Sequence, residues 1–520
     1  MKERLLEVLR QGFGHSSFRE GQAEMIERVM AGRNVLGLLS TGGGKSVTYQ
    51  LPALLLPGLV LVVSPLISLM MDQVQKLRAR RVIPAAYMNS AMDPGEVKQI
   101  MTEIEHGKFK LLYISPEKLQ QRFVQRVLAA RGVSLVAIDE AHCISQWGHD
   151  FRTDYMRLPE VISRLGNPTV LAVTATATPA VREEICRLFT IAPEDVVIQP
   201  LNRNNIAMDV IPVGSEAERR ERVIHAMEVL KGPGIVYCGT RQAVETLTEQ
   251  YRLTGQKNVH AYHGGMNGME RALIQQQFLR GDLDIIVATN AFGMGIDKPD
   301  IRFVLHYHFP ASLEAYAQEI GRVGRDGLPG YAGLFFTPDD LQIHMHLLER
   351  EYPTDTQVAV FLRELSKGSL SCADLAARGE IGPDMVQLLM FYAEQAGMIS
   401  EAAATSEGFL FTPGTMEGNE HGAASRILER IERVKRRKLE KLQHMIRWLH
   451  ASECLRSALV RYYGESGHTE YVVSCCSRCG MDRSRYEQNV PEDLRLVKKE
   501  WDLEQALRTL LPKKMERGGR

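Results

Sequence analysis

Up to about Asp340, short runs rich in β-branched residues alternate with helical stretches, and this alternation limits the possible folds more than any other feature. The clearest runs are Val35–Leu39, Leu59–Val63, Leu111–Ile114, Leu135–Ile138, Val170–Val173, Ile235–Tyr237, Ile285–Ala288 and Phe303–His306. Strands that are apolar at nearly every position are buried on both faces, which calls for a parallel sheet with helices on each side. Eight such strands suit two α/β units, and Gln199–Ser215, after which the pattern restarts, reads as the linker. No residue between Lys45 and Asp72 is charged, and a run of this length can span a membrane. Here Pro52, Pro57, Gly58, Ser64 and Pro65 break it into a helix end (Gln50–Leu56), a turn and a buried strand, so no membrane span is expected. The N-terminus, MKERLLEVLRQGFG, lacks the apolar core of a signal peptide.

Chemistry enters at the strand ends. Val35–Leu39 runs into Ser40-Thr41-Gly42-Gly43-Gly44-Lys45-Ser46, a glycine-rich turn opening a helix. Backbone N–H groups in such a turn converge on phosphates, the lysine reaches the terminal phosphates and the serine hydroxyl holds Mg²⁺. The generic pattern asks for Gly at position 39, where this chain has Leu39. A second strand, Leu135–Ile138, ends in Asp139-Glu140-Ala141-His142. Acidic residues there would face the same ligand crevice, Asp139 holding Mg²⁺ and Glu140 polarising the attacking water. Together these two strand ends predict an enzyme that hydrolyses a nucleoside triphosphate.

Asp139–His142 continues as CISQWGHDFR (Cys143–Arg152), and this block resembles the RecQ family of DNA helicases. The likeness includes Phe18-Arg19 with Gln22, TGGGKS, SPLISLMMDQV (Ser64–Val74), YISPE (Tyr113–Glu117) and TATAT (Thr174–Thr178). It continues through VYCGTR (Val236–Arg241), ATNAFGMGIDKPDIRFVLH (Ala288–His306) and YAQEIGRVGRDG (Tyr316–Gly327). Ser40 replaces the family's usual Pro and Val323 its usual Ala, and neither is a catalytic group. The resemblance implies a catalytic set of Lys45, Asp139, Glu140, His142, Arg322 and Arg325. It also implies a nucleotide-binding set of Phe18, Arg19, Gln22, Thr41, Gly42, Gly43, Gly44, Lys45, Ser46 and Asp139. The Gln22 amide can read both edges of adenine. Arg322 and Arg325, three apart and expected on one helical face, could clamp the transferring phosphoryl group from the second α/β unit. Trp147, His149, Phe151 and Arg152 resemble the family's aromatic-rich loop that couples DNA contact to hydrolysis, where rings stack on bases. Trp147 taken alone reads equally as a core residue. Thr174–Thr178 and Ser64–Ser68 resemble segments that touch strand phosphates or relay to the ATP site, and their hydroxyls could also simply cap helices.

The back half departs from the family's usual order. Ser369–Arg378, a turn at Gly379–Pro383, Asp384–Ala396 and a hairpin over Met398–Ile399 and Phe409–Phe411 read as a winged helix placed before the cysteines. Across Ser369–Pro413 one basic residue, Arg378, faces six acidic ones. A DNA-reading helix needs cations for phosphates, so this domain is expected to brace the core or dock a protein. Arg426–Arg447 is the opposite, one helical pattern with nine Lys/Arg against three Glu, either a solvated face or a duplex-backbone contact. Four of the eight cysteines, Cys454, Cys475, Cys476 and Cys479, lie within 26 residues. Four thiolates close a tetrahedral structural Zn²⁺ site, with Asp482 the alternative to Cys475. Only 41 residues follow Cys479, among them a helix expected around Leu494–Leu511. That length leaves no room for the later winged helix whose hairpin separates strands in the family.

The expected architecture is therefore α/β, two RecA-like parallel-sheet domains in tandem (1–207 and 208–340). A winged-helix-like domain (341–422), a helical zinc-binding segment (423–482) and a C-terminal helix with basic tail (483–520) follow. Lys+Arg and Asp+Glu both total 63, so bulk charge does not drive binding to polyanions and any basic surface is local. The reading is an ATP-, Mg²⁺- and Zn²⁺-dependent DNA helicase acting on single-stranded and branched or tailed duplex DNA, cytoplasmic and nucleoid-associated. Family resemblance implies 3′-to-5′ movement and a role in recombination or repair. The rivals are a translocase or RNA helicase, and a winged-helix DNA-binding regulator with a degenerate core.

Overall fold

A computed structural model describes residues 2–39, 42–145, 153–200, 202–293, 296–365, 370–371, 375, 381–404, 408–413, 420–465 and 474–488. The first seven strands are β1 (Val35–Leu38), β2 (Leu59–Val63), β3 (Ala85–Met88), β4 (Leu111–Ile114), β5 (Val133–Ile138), β6 (Thr169–Thr174) and β7 (Val196–Ile198). They form one parallel sheet in the order β3-β4-β2-β5-β6-β1-β7. Its central strands are buried on both faces, as their unbroken Val/Leu/Ile content requires. Because every strand runs the same way, the ends of β1, β5 and β6 share one edge, with β6 between the other two.

The second sheet contains β8 (Ile206–Pro212), β9 (Gly234–Tyr237), β10 (Val259–Tyr262), β11 (Ile285–Ala288), β12 (Phe303–His306) and β13 (Gly330–Phe336), in the order β10-β11-β9-β12-β13-β8. It too is parallel throughout. The eight anticipated strands are all present; β3, β7, β8, β10 and β13 are additional. The linker expectation needs correction. Gln199–Ser215 contains β8, which pairs along its whole length with β13, so the second unit begins before residue 208. Asp209 disguised this strand; it is wholly buried, accepting from Tyr331 Oη (2.7 Å) and pairing with Arg483 (2.6 Å).

Beyond Asp340, the helices Asp355–Leu365 and Pro383–Gln395 pack with a three-stranded sheet of β14 (Leu370–Ser371), β15 (Ile399–Ala404) and β16 (Gly408–Pro413), ordered β14-β16-β15. The hairpin β15–β16 is antiparallel, as a wing requires. Of Ser369–Arg378, read as a helix, Leu370–Ser371 form β14 and Leu375 is helical; its remainder lies outside the described residues. The expected basic helix is Glu420–Leu449, 30 residues long. At 1.5 Å per residue it spans about 45 Å. Its first half (Ile427, Ile431, Val434) completes the core of the winged-helix-like domain, and its second half (Leu442, Met445, Trp448, Leu449) enters the core of the second sheet. The boundary expected at 422/423 thus falls inside one continuous rod. The helix expected around Leu494–Leu511 lies outside the described residues, and none of the described helices is long and apolar enough to cross a membrane.

Candidate nucleotide cleft and zinc cluster

The phosphate loop follows β1, and its glycines are required by geometry. Gly42 has φ 85°, and a Cβ there would lie 3.2 Å from Arg325 Cγ. Gly44 has φ 77°, and a Cβ there would strike the Gln22 amide at 2.5 Å. Beyond the loop, Lys45 Nζ donates to Glu140 Oε1 (3.2 Å). Burial pulls Lys45 down, but Glu140 and Asp139 outweigh it and hold the lysine above its ordinary value. Asp139 moves the other way for a carboxylate: burial pushes it up to about 6 despite Lys45. Glu140 sits at φ 48°, a left-handed conformation rare for a side-chain-bearing residue and characteristic of functional sites. Its Oε2 is buried without a hydrogen-bond partner among the described residues. A closely approachable glycine loop, a half-buried lysine and an orphaned carboxylate oxygen fit a triphosphate, its Mg²⁺ and an attacking water.

Gln22 is buried beside this loop. Its amide nitrogen donates to Gly43 O (3.2 Å) and Gly44 O (2.9 Å), while its oxygen accepts from Arg19 N (2.9 Å). Arg19 also donates to Gly42 O. The pair therefore grips the loop backbone here, and adenine would compete with those carbonyls for the amide. Phe18 packs on the neighbouring core. Thr41 lies outside the described residues. His142, buried, meets Thr174 Oγ1 at 2.9 Å and lies 3.5 Å from Glu140 Oε2, so the acidic strand end is tied to the TATAT segment through adjacent β6. Trp147, His149, Phe151 and Arg152 lie outside the described residues. Just after them, Tyr155 Oη donates to Asp139 O (3.1 Å).

Arg322 and Arg325 come from the second domain. The expectation of one helical face is corrected: the helix Leu313–Ile320 stops before them, and Gly324 (φ 55°) turns its N–H to Ile301 O (2.8 Å). Both arginines stand in the following turns. Arg322 is buried and donates to Gly293 O; Arg325 donates to Ile296 O (2.5 Å) and packs on Gly42 across the domain boundary. Burial and the neighbouring Arg322 pull Arg325 down to about 10, still a cation at neutral pH. Lys76 bridges to Asp297 (3.3 Å) across the same boundary.

At the far side, one ligand atom from each of Cys454, Cys475, Cys476 and Cys479 lies within 4.8 Å of the others. Sγ separations are 3.6 Å (Cys454–Cys475), 4.0 Å (Cys454–Cys476) and 3.5 Å (Cys476–Cys479). Four sulfurs about 2.3 Å from a tetrahedral Zn²⁺ stand about 3.8 Å apart, so the cluster has the dimensions of such a site. Asp482 is engaged elsewhere, accepting from Ser484 N (3.1 Å) and Ser484 Oγ (2.7 Å). The cysteine loop also extends the second sheet: Met208 N donates to Cys475 O (3.1 Å) and Ser477 N to Met208 O (2.9 Å).

The acidic domain docks on the first RecA-like unit. Glu394 pairs with Arg157, and Gln387 donates to Asp154 (3.3 Å). On the basic helix, Lys441 pairs with Glu314 (2.9 Å) and Lys438 with Glu351, so part of its charge is used within the chain. Sequence reasoning missed Arg203, Asn205 and Arg456, whose partners are mostly backbone carbonyls.

Residues 19–185 match the DEAD/DEAH box helicase family, 218–327 the helicase conserved C-terminal domain, and 417–483 the RecQ zinc-binding family. The chain is 41% identical over 486 residues to the probable ATP-dependent DNA helicase RecS of Bacillus subtilis, covering 93% of this chain and 94% of that one. It is 42% identical over 360 residues to the ATP-dependent DNA helicase RecQ of Pasteurella multocida, covering 69% of this chain and 56% of that longer protein. Among solved structures, Mycobacterium smegmatis helicase Lhr bound to ssDNA and AMP-PNP shares the fold, with a TM-score of 0.54 at 19% identity over 81% of this chain and 61% of that one.

Proposed function

The chain belongs to the RecQ family of ATP-dependent DNA helicases, and from that premise we propose that it moves along single-stranded DNA by hydrolysing ATP between its two RecA-like domains. The observation that carries the mechanism is Arg325 of the second domain resting on Gly42 of the first domain's phosphate loop. The loop N–H groups cradle the phosphates, with Thr41 completing the cradle. Lys45 exchanges Glu140 for the terminal phosphate oxygens, and the released Glu140 orients the attacking water and takes up its proton. Ser46 and Asp139 would hold Mg²⁺, which neutralises charge on the β- and γ-phosphates when bound. Arg322 and Arg325 meet the charge that builds on the transferring phosphoryl group, and only when the domains are together. His142 and Thr174 relay this state toward Thr174–Thr178. Trp147 and Phe151 stack on bases, and His149 and Arg152 contribute to the same DNA contact.

The direction is 3′ to 5′, the substrates are tailed or branched duplexes of recombination and repair, and the enzyme works at the cytoplasmic nucleoid. The acidic domain braces the first RecA-like unit through Glu394, and its excess of acidic over basic residues suits a protein partner better than DNA. An RNA helicase is not favoured, since the relatives matched over most of the chain are DNA helicases. Strand displacement on tailed duplexes tests the proposal. DNA with a 3′ tail should be unwound in an ATP-dependent manner, and activity restricted to RNA or to 5′ tails would overturn it.

A further inference from the structure

The turn bearing Arg322 and Arg325 lies past the end of its helix, so something outside that helix must hold it. Much of the support comes from the segment joining the two domains. Arg203 donates to the carbonyls of Gly324 (2.7 Å), Val323 (3.0 Å) and Gly321 (3.4 Å). Asn205 Nδ2 donates to Gly324 O and Leu328 O (both 2.8 Å), and Asn205 O accepts from Gly330 N (2.9 Å). Arg203 Nε in turn donates to Asn205 Oδ1 (3.3 Å), locking the pair together. This post is anchored from behind. Arg456, buried, donates to Arg203 O (2.7 Å), Asn202 Oδ1 (3.0 Å), Ile206 O and Cys475 Sγ (3.3 Å).

We propose that Arg203 and Asn205 are positioning residues for ATP hydrolysis, holding the Gly321–Leu328 turn so that Arg322 and Arg325 reach the transferring phosphoryl group. The proposal rests on the role given to those two arginines above. Arg203 itself is too occupied with turn carbonyls to act on the nucleotide. A guanidinium facing three carbonyls of one turn sets both its height and its tilt. A catalytic group misplaced by about 1 Å loses on the order of 10²-fold in rate. A group that acts only in the transition state changes kcat and leaves ground-state binding alone.

The test uses the full chain with saturating single-stranded DNA. Arg203→Ala should lower kcat by about 10- to 100-fold while KM for ATP and affinity for ADP stay within about twofold. Binding of ADP–aluminium fluoride should weaken in proportion to kcat. Asn205→Ala should show the same pattern with a smaller loss, and Arg203→Lys, which keeps a cation for one carbonyl, should recover part of the rate. If Arg203→Ala fails to fold, Asn205→Ala carries the test. Wild-type turnover in these variants would overturn the proposal, as would a kcat loss matched by equal loss of ADP binding. Arg325→Ala separates the two levels. Wild-type turnover there removes the underlying reading, whereas an inactive Arg325→Ala beside a normal Arg203→Ala removes the positioning role alone.

Discussion

Cys476→Ser isolates what the zinc cluster contributes. Cys476 is wholly buried, and serine fills nearly the same space but is a poor zinc ligand. Without the metal, the 474–482 loop loses its closure and with it the stitching to β8. Three bonds are at stake: Met208 N to Cys475 O, Ser477 N to Met208 O, and Val210 N to Ser477 Oγ (3.2 Å). At about 1 kcal/mol net each, their loss removes about 3 kcal/mol. For a unit of 150–250 residues each kcal/mol shifts the melting temperature by about 2–4 °C, so a drop of about 6–12 °C is expected in the transition of the second domain. Plasma mass spectrometry and calorimetry on the full chain check this. Wild type should carry about one zinc per chain and Cys476→Ser close to none. Nucleotide binding to the first domain should change little, because its loop and acidic strand end touch none of these residues. Cys475→Ala should also lose the metal, whereas Asp482→Ala should keep it. Full zinc content in Cys476→Ser, or an unshifted transition, would refute the reasoning. So would an Asp482→Ala protein as metal-poor as Cys475→Ala.

Lys45→Ala should abolish ATP hydrolysis and leave single-strand DNA binding intact in fluorescence anisotropy; near-normal turnover would contradict the role given to Lys45. Asp139, pushed up to about 6 by burial, should hold Mg²⁺ progressively less well as pH falls below about 6, with Mg²⁺-dependent ADP affinity falling about tenfold per unit. Between its unfolded value of 3.8 and about 6 the folded chain keeps a proton that the unfolded chain releases, so this group lowers stability as pH rises through that window. Asp139→Asn should accordingly melt higher than wild type at pH 7.5, and a lower melting point would contradict the sign. Deleting Ala402–Glu407 removes no cation, so DNA affinity at moderate salt should change by less than about twofold; a tenfold loss would show that the wing touches DNA.

Those predictions draw on residues that the sequence displays in short, contiguous blocks, and the parallel sheet explains why. All strands end along one edge, so Lys45 after β1, Asp139-Glu140 after β5 and Thr174 at the end of β6 become neighbours, although each reads locally as an apolar run leading into polar residues. The cysteine cluster was legible for a related reason, since three of its four ligands lie within five residues. Legibility fails where a residue's partner has no signature. Asp209 is a residue depleted in strands, and the groups that satisfy it within β8, Tyr331 and Arg483, lie over a hundred residues away. The helical periodicity of Arg322 and Arg325 was real in spacing but not in space, because Gly324 sends its N–H to Ile301 rather than back along the helix. Gln22 suggested adenine by chemistry, yet Gly43 and Gly44 offer it equally good acceptors. Arg203 and Asn205 are the extreme case. A motif can reveal a pair of side chains, because both members are letters in the sequence. An arginine that holds backbone carbonyls pairs with atoms that every residue carries, so a residue of this kind within an apparent linker becomes visible only when the turn it supports has been placed in space.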